Sequence, residues 1–405
     1  MLISGIHIRI VLRKLFLGSL PLIGLCSCGN GHTPESHLEF GVLPSITVHD
    51  SDYTEIRFSD STKEIDIADP QQCTVTCLEL SSQGRNFISD VTRLLIHNDR
   101  IYILDWRSEQ LFIYDRQGRC LKKIDARGRG PEEYLGLLTM AIDSNRLWVQ
   151  DRMAPQMLIY TLDGEFEKKV ARPVHISDWT RVQGKSLYYY QPEQNGHTDL
   201  GSTTLCTGTL DSVLYAGFPV CPLQKTTFDL SAFCPSFDSE RVLFKPQWSD
   251  TVYRFTDGAV CTVEYVVEHP ESIWQNRDRQ MSLSEIREAR YDGRYISFDK
   301  LIEGRDRVLI ELTETEERSR EYLYDKASGQ LYKLKDGYPI LPWIRAVEEN
   351  CFVVALGTEN LLYLKDRLRS GEITITDSRL RELISGTDEN ANPILLFLNF
   401  RLPQS

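Results

Sequence analysis

Residues 99–124, DRIYILDWRSEQLFIYDRQGRCLKKI, and residues 145–170, NRLWVQDRMAPQMLIYTLDGEFEKKV, align without a gap at an offset of 46. Eight positions are identical: Arg100/Arg146, Asp105/Asp151, Gln110/Gln156, Ile113/Ile159, Tyr114/Tyr160, Gly118/Gly164, Lys122/Lys168 and Lys123/Lys169. Each copy holds a short apolar strand (101–104; 147–149), a turn opened by Asp, a second strand (111–114; 157–160), a polar turn with Gly at its sharpest point, and a half-exposed third strand. Asp suits such turns because its carboxylate bonds the backbone ahead, and Gly because it adopts positive φ without strain. Three or four antiparallel strands every ~40–50 residues mark a β-propeller blade, and continuous apolar strands fit a sheet packed on both faces by neighbouring blades.

Outward from this pair the theme is weaker but persists: Asp250 to Phe255, Glu321 to Asp325 with Gly329 to Leu334, and Cys351 to Leu356 with Leu361 to Lys365 all read as strands. The apolar strand Ile394 to Phe400 is placed to close the ring by pairing with the first blade. Two short helices interrupt the pattern. Ser282 with Glu285 makes a capping box for a helix to about Arg290, and 377–385 carries Leu380, Leu383 and Ile384 at helical spacing with Gly386 as a stop. The expected fold is all-β: a β-propeller of six blades, each a four-stranded antiparallel sheet, with one or two short helical insertions. Sharing residues 60–400 among six blades makes the mean blade longer than the 46-residue repeat, so seven stays open.

The first residues give an address. Arg9, Arg13 and Lys14, with no acid, precede the apolar run Leu15 to Leu25. A membrane-spanning helix needs roughly 20 apolar residues, about twice this run, so it reads as a signal peptide. The sequence Leu25-Cys26-Ser27-Cys28-Gly29 resembles the lipobox of bacterial lipoproteins, which implies cleavage after Ser27 and lipidation of Cys28. The expected organisation is residues 1–27 as signal peptide, 28–45 as lipidated N-terminus and flexible tether, and 46–405 as the propeller. A lipid bilayer, of the outer membrane, is then the first partner. No acid follows Cys28 before Glu35, and whether the domain faces the periplasm or the cell surface is left open.

The blade pattern, the turn Gly128-Arg-Gly-Pro-Glu-Glu-Tyr134, Ser249-Asp-Thr-Val-Tyr253 and Asn392-Pro-Ile-Leu-Leu396 together resemble the six-bladed β-propeller lipoproteins of Bacteroides-type bacteria, which are similar to NHL-repeat propellers. The resemblance covers roughly residues 60–400 and implies fold and compartment; it implies no particular activity.

Composition narrows the partners. The chain carries a formal charge of −12, and removing residues 1–27 takes away three cations and no acid, giving −15. Nucleic-acid binding is driven by Lys and Arg displacing counterions from phosphates, so nucleic acid is not an expected partner. Besides Cys26 and Cys28 there are eight sparse cysteines, unlike a disulfide-built scaffold. Cys221 with Cys234 is the first pair to consider for a bridge. Cys73 and Cys77 share one face of a strand but lie roughly 13 Å apart along it, too far for one metal.

No nucleophile elbow, His-Glu-x-x-His, P-loop or EF-hand series occurs, and the histidines are scattered. No catalytic residue, metal trio or cofactor can be nominated. Two stretches are binding candidates. Gly128 to Tyr134 could form an anion-binding nest of amides flanked by Arg127 and Arg129, or simply a turn between blades. Trp179 with Tyr188 and Tyr190 could offer flat faces for a sugar, or simply pack between blades, with Tyr189 on the opposite side of the strand. The expected function is non-catalytic: a binding or scaffold domain for an envelope partner, peptide or glycan. The alternative is a channel-sited enzyme, a lyase or hydrolase using a divalent ion, as likeness to NHL-type propellers would allow. Oligomeric state is not readable.

Overall fold

The computed structural model describes residues 43–402 apart from 50, 60–61, 83–85, 144, 173–175, 191–202, 210–211, 220–231, 248, 271–283, 286–287, 289–297, 316–317 and 336–343. The signal peptide, Cys28, most of the tether, Cys221 and Ser282 lie outside these residues.

Six sheets form six blades. Blade 1 is Arg93–His97, Arg100–Asp105, Gln110–Asp115 and Cys120–Ile124; blade 2 is Leu137–Asp143, Arg146–Asp151, Gln156–Thr161 and Phe166–Ala171. Blade 3 is Asp178–Val182, Lys185–Tyr189, Thr203–Gly208 and Val213–Pro219; blade 4 is Phe233–Cys234, Val242–Phe244, Thr251–Phe255 and Val260–Glu268. Blade 5 is Phe298–Glu303, Arg307–Thr315, Arg318–Asp325 and Leu331–Leu334. Blade 6 takes Ile344–Glu348, Cys351–Leu356 and Ile394–Phe400 from the end of the chain and its fourth strand, Cys73–Glu79, from the beginning. First strands of successive blades contact one another all the way round, blade 6 meeting blade 1. The ring is closed at six.

The 46-residue repeat covers the second to fourth strands of blades 1 and 2. Asp105 accepts bonds from the amides of Arg107 and Ser108 (3.1 and 3.2 Å), and Asp151 from those of Met153 and Ala154 (2.9 and 3.1 Å), so each opens a turn. Both carboxylates also reach back to the segment entering the blade, at the Ser89 and Leu135 amides (2.7 and 3.1 Å). Gly118 closes the next turn at φ 76°, and a Cβ there would lie 2.0 Å from the Glu79 carbonyl oxygen. The strand read from sequence as the first of each blade is therefore the second. The true first strands lie upstream of the repeat.

Ring closure differs from the expectation. Ile394–Phe400 pairs antiparallel with Cys73–Glu79 inside blade 6, from Ile394 opposite Glu79 to Phe400 opposite Cys73. The N-terminal strand joins the last blade, rather than the last strand joining the first. Asn392 fastens the exit toward blade 1: its amide nitrogen donates to the Ser81 and Asn86 carbonyls (3.1 and 2.7 Å) and its oxygen accepts from the Ile88 amide (3.0 Å).

Upstream of that strand the chain runs as a belt along the outer edges. Ile46 donates to the Ala216 carbonyl on blade 3 (2.9 Å). Thr47–His49 and Thr54–Arg57 add in parallel to the outer strand of blade 4, and Lys63–Ile65 to that of blade 5.

Leu361 to Lys365, read as a strand, is helical. It lies in α1 (Thr358–Ser370), which with α2 (Ser378–Gly386) is inserted between the second and third strands of blade 6. Leu361, Leu364 and Leu368 recur at three- and four-residue spacing, which serves a helix face and not a strand. Gly371 stops α1 at φ 77°, and the Asp377 carboxylate caps α2 by accepting from the Leu380 amide at 2.7 Å. Leu361, Leu364, Leu380 and Ile384 are buried against the seam between blades 5 and 6.

Candidate functional site

The first strands stand around the axis, and some of their side chains face it while others, such as Trp179, pack into the seams. Together they line a central cavity of about 540 Å³, within the range of small-molecule sites, with walls from all six blades. The half-buried Leu95, Leu138 and Ile142 supply apolar surface.

The charges there run against the acidity of the whole chain. Five cations line the cavity, Arg93, Arg181, Arg241, Lys300 and Arg345, against Asp90 and Asp238. Three of the five are matched. Arg241 pairs with Glu303, Glu264 and Asp238 at 2.6, 2.8 and 3.2 Å, and Lys300 with Glu311 at 2.7 Å. Arg181 lies 3.0 Å from Asp143, donates to the Gly184 carbonyl and stacks 4.3 Å from the centre of the Trp148 ring. Burial lowers the Arg181 pKa despite Asp143.

The other two are not matched in the same way. Arg93 stands 3.6 Å from Asp178, beyond hydrogen-bond length. Asp178 is fully buried and already accepts from the Trp179 and Ala232 amides (2.8 and 3.2 Å), tying blade 3 to blade 4. Arg345, half-buried on the first strand of blade 6, has neither a hydrogen bond nor an ion pair among the described residues. Burial lowers its pKa, and Glu311 and Asp90 oppose that only through their fields.

At the junction of blades 4 and 5, Glu303 is fully buried and accepts four bonds: from Arg241, from Tyr265 OH (2.5 Å), from Lys326 Nζ (2.8 Å) and from Ser236 Oγ (2.7 Å). Burial alone would raise its pKa, but Lys326, Tyr265 and Ser236 bring it below the ordinary value. Burial and the adjacent Glu303 charge push the Tyr265 phenol well above its own. A saturated carboxylate beside a phenol that holds its proton is a structural bolt, not a proton shuttle. Among the described residues no group of three or more His, Cys, Asp or Glu is placed to hold a metal ion.

The residues singled out from sequence are elsewhere. Arg127 and Arg129 are exposed on the linker between blades 1 and 2, and the nest they flank already holds an acid. The Gly130 amide donates to Glu133 Oε2 at 2.7 Å, and Lys169 Nζ takes the Gly130 carbonyl at 2.9 Å. Trp179, Tyr188 and Tyr190 are no more than 1% exposed and pack together between blades 2 and 3, with Tyr189 on the other side, between blades 3 and 4. They present no open face on which a sugar could stack. Cys73 and Cys77 do share one face, in the seam between blades 5 and 6, and burial pushes their thiols up to about 12 and about 11.

The channel residues were missed because first strands precede the repeat and need no two-faced apolar pattern. The available signal was positional. In blades 1, 2, 3 and 6 the first strand ends three residues before the second begins, so stepping back from Ile101 and Phe352 reaches Arg93 and Arg345.

Among the described residues no helix is long and apolar enough to cross a membrane. The fold is similar to that of a Bacteroides fragilis protein described as exported, at 16% identity, covering 87% of this chain and 100% of that one with a TM-score of 0.67. A member of the DUF4221 family from Bacteroides vulgatus aligns over 83% of this chain and 100% of its own at 10% identity and a TM-score of 0.47. At such identities the likeness concerns the fold alone. No curated protein matches the chain. Residues 57–399 match the family described as Domain of unknown function (DUF4934), and the chain belongs to that family.

Proposed function

We propose that this protein is an exported lipoprotein, anchored by acylated Cys28 at the outer membrane, whose propeller binds an envelope glycan, peptide or partner group in its central channel without transforming it. The observation that carries the binding reading is the channel itself. One cavity gathers walls from six blades and offers two incompletely matched guanidinium groups, while the buried carboxylates around it, Asp178 and Glu303, are engaged in holding blades together. The address reading is supported by the basic n-region, the short apolar run and the lipobox-like Leu25 to Cys28, and by the exported description of a protein with the same fold. Several acyl chains at ~0.8 kcal/mol per buried CH₂ hold a domain at a bilayer durably.

The anchor is tested by labelling cells with a radioactive fatty acid. Label enters the wild-type protein and is absent from Cys28→Ala; label retained in that variant overturns the anchor. For the channel, Leu138→Trp adds bulk to the cavity from a half-buried position. On glycan and peptide arrays it loses the signals that the wild type gives. Undiminished signals would place binding outside the channel, and release of a modified array ligand would turn the reading to an enzyme.

A further inference from the structure

The class of ligand can be narrowed further, and this step rests on the channel reading above. A guanidinium in a partly desolvated wall with nothing to donate to is costly, and the cost disappears when an anion completes it. Among the described residues Arg345 is such a group. The two acids whose fields reach it do not bond it: Asp90 accepts from Thr92 Oγ1 at 3.1 Å, and Glu311 pairs with Lys300 at 2.7 Å. Arg93, on the adjoining first strand of blade 1, has among the described residues only the long contact to Asp178, whose oxygens already accept from backbone amides. A planar five-donor fork matches a carboxylate bidentately. The half-buried Leu95, Leu138 and Ile142 give part of the wall an apolar character, suited to the carbon body of an organic molecule. A phosphate dianion would call on further unmatched cations, and the other three cations that line the cavity are already paired.

We propose that the central channel is a site for a small organic carboxylate, its head paired with Arg345 and assisted by Arg93, its body against the apolar wall.

The test is the thermal melting of the purified protein with benzoate, 3-phenylpropionate and 4-phenylbutyrate, each against its amide, and with inorganic phosphate. The expected result is a saturable rise in the wild-type Tm with carboxylates, and little change with amides or phosphate. Arg345→Met should melt at or above the ligand-free wild type, since it removes a desolvated charge, and should bind carboxylate at least ~10-fold more weakly, as loss of a charged hydrogen bond predicts. Arg345→Lys, which keeps the charge but not the fork, should fall between them. The proposal is overturned by a wild type that no carboxylate stabilises, by amides or phosphate acting equally, by Arg345→Met binding undiminished, or by Arg345→Met melting well below wild type, which would make Arg345 a structural residue. Leu138→Trp separates the two levels. Amides and carboxylates bound alike by wild type and lost in Leu138→Trp leave the channel reading intact, whereas carboxylate binding that survives Leu138→Trp sinks both.

Discussion

The seam between blades 1 and 2 and the three seams from blade 3 to blade 6 are closed by different parts of the chain. Between blades 1 and 2 the plug is local: Ile124 ends the outer strand of blade 1, and Ala126 and Tyr134 come from the linker that follows it. Tyr134 is fully buried, and its hydroxyl donates to the Glu109 carbonyl at 2.7 Å. From blade 3 onward the plugs come from the belt. Ile46 packs between blades 3 and 4, Ile56 between 4 and 5, and Ile65 and Ile67 between 5 and 6. The same belt pairs with the outer strands of blades 4 and 5, whereas the outer strands of blades 1 and 2 have no further strand beside them among the described residues. Those two open edges carry the repeated pairs Lys122-Lys123 and Lys168-Lys169, charges that discourage edge-to-edge pairing. Blades that stand alone carry their own plug and guard; blades served by the belt do not need them.

Cutting the belt should have the largest effect. A chain starting at Ser81 lacks the fourth strand of blade 6 and every belt isoleucine. It should fail to fold cooperatively, giving no near-UV circular dichroism transition. A chain starting at Ser59 keeps the closing strand, Ile65 and Ile67 and loses Ile46, Ile56 and the two strands added to blade 4, so it should fold and melt lower.

Next in size is the bolt between blades 4 and 5. Glu303→Gln leaves Arg241 and Lys326 without their shared carboxylate, and breaking a buried pair in this way costs about 3–5 kcal/mol in urea unfolding. The pH dependence carries a sign. Lys326, Tyr265 and Ser236 outweigh burial and hold the folded pKa below the ordinary value of 4.5, so the unfolded chain takes the proton first. The contribution is complete above pH 4.5 and fades as pH falls through the lower folded value. Stability of the wild type should therefore drop below pH 4.5 with a slope that Glu303→Gln lacks. Ile56→Ala, at the same seam, opens a cavity and should cost about 2–5 kcal/mol without altering that slope.

The uneven sealing also explains which parts of the fold were legible. In blades 1 and 2 every strand from the second to the fourth, both turns and the outer guard are encoded within one 46-residue window, so two copies align. Blade 6 takes a strand from more than 300 residues away, a pairing that leaves no mark at short range: Cys73–Glu79 reads only as an alternating strand. The isoleucines at 46, 56, 65 and 67 are isolated apolar residues in a polar stretch, and burial at a seam is what gives them meaning. Leu361 to Lys365 misled because five residues of mixed character suit strand or helix equally, and only Leu368 extends the helical spacing. The channel was the least legible. Arg345 looks like any surface arginine until six first strands are brought around one axis.

Tyr134→Phe is the finest test of the local plug. The ring stays in the seam, so its apolar burial is unchanged, and the loss is confined to the 2.7 Å bond to the Glu109 carbonyl and the weaker contacts to Ala126 N and Ile124 O. One neutral hydrogen bond is worth about 1 kcal/mol net, so unfolding in urea should shift by about that amount with an unchanged m-value. Tyr134→Ala removes the ring as well and should cost about 3–5 kcal/mol. If the two variants cost the same, the hydroxyl holds the linker and the seam is sealed by its backbone geometry rather than by an aromatic plug. If Tyr134→Phe costs nothing while Tyr134→Ala costs its full amount, blades 1 and 2 are sealed by apolar volume alone, as the isoleucines seal the belt side, and the two halves of the ring differ only in where that volume comes from along the chain.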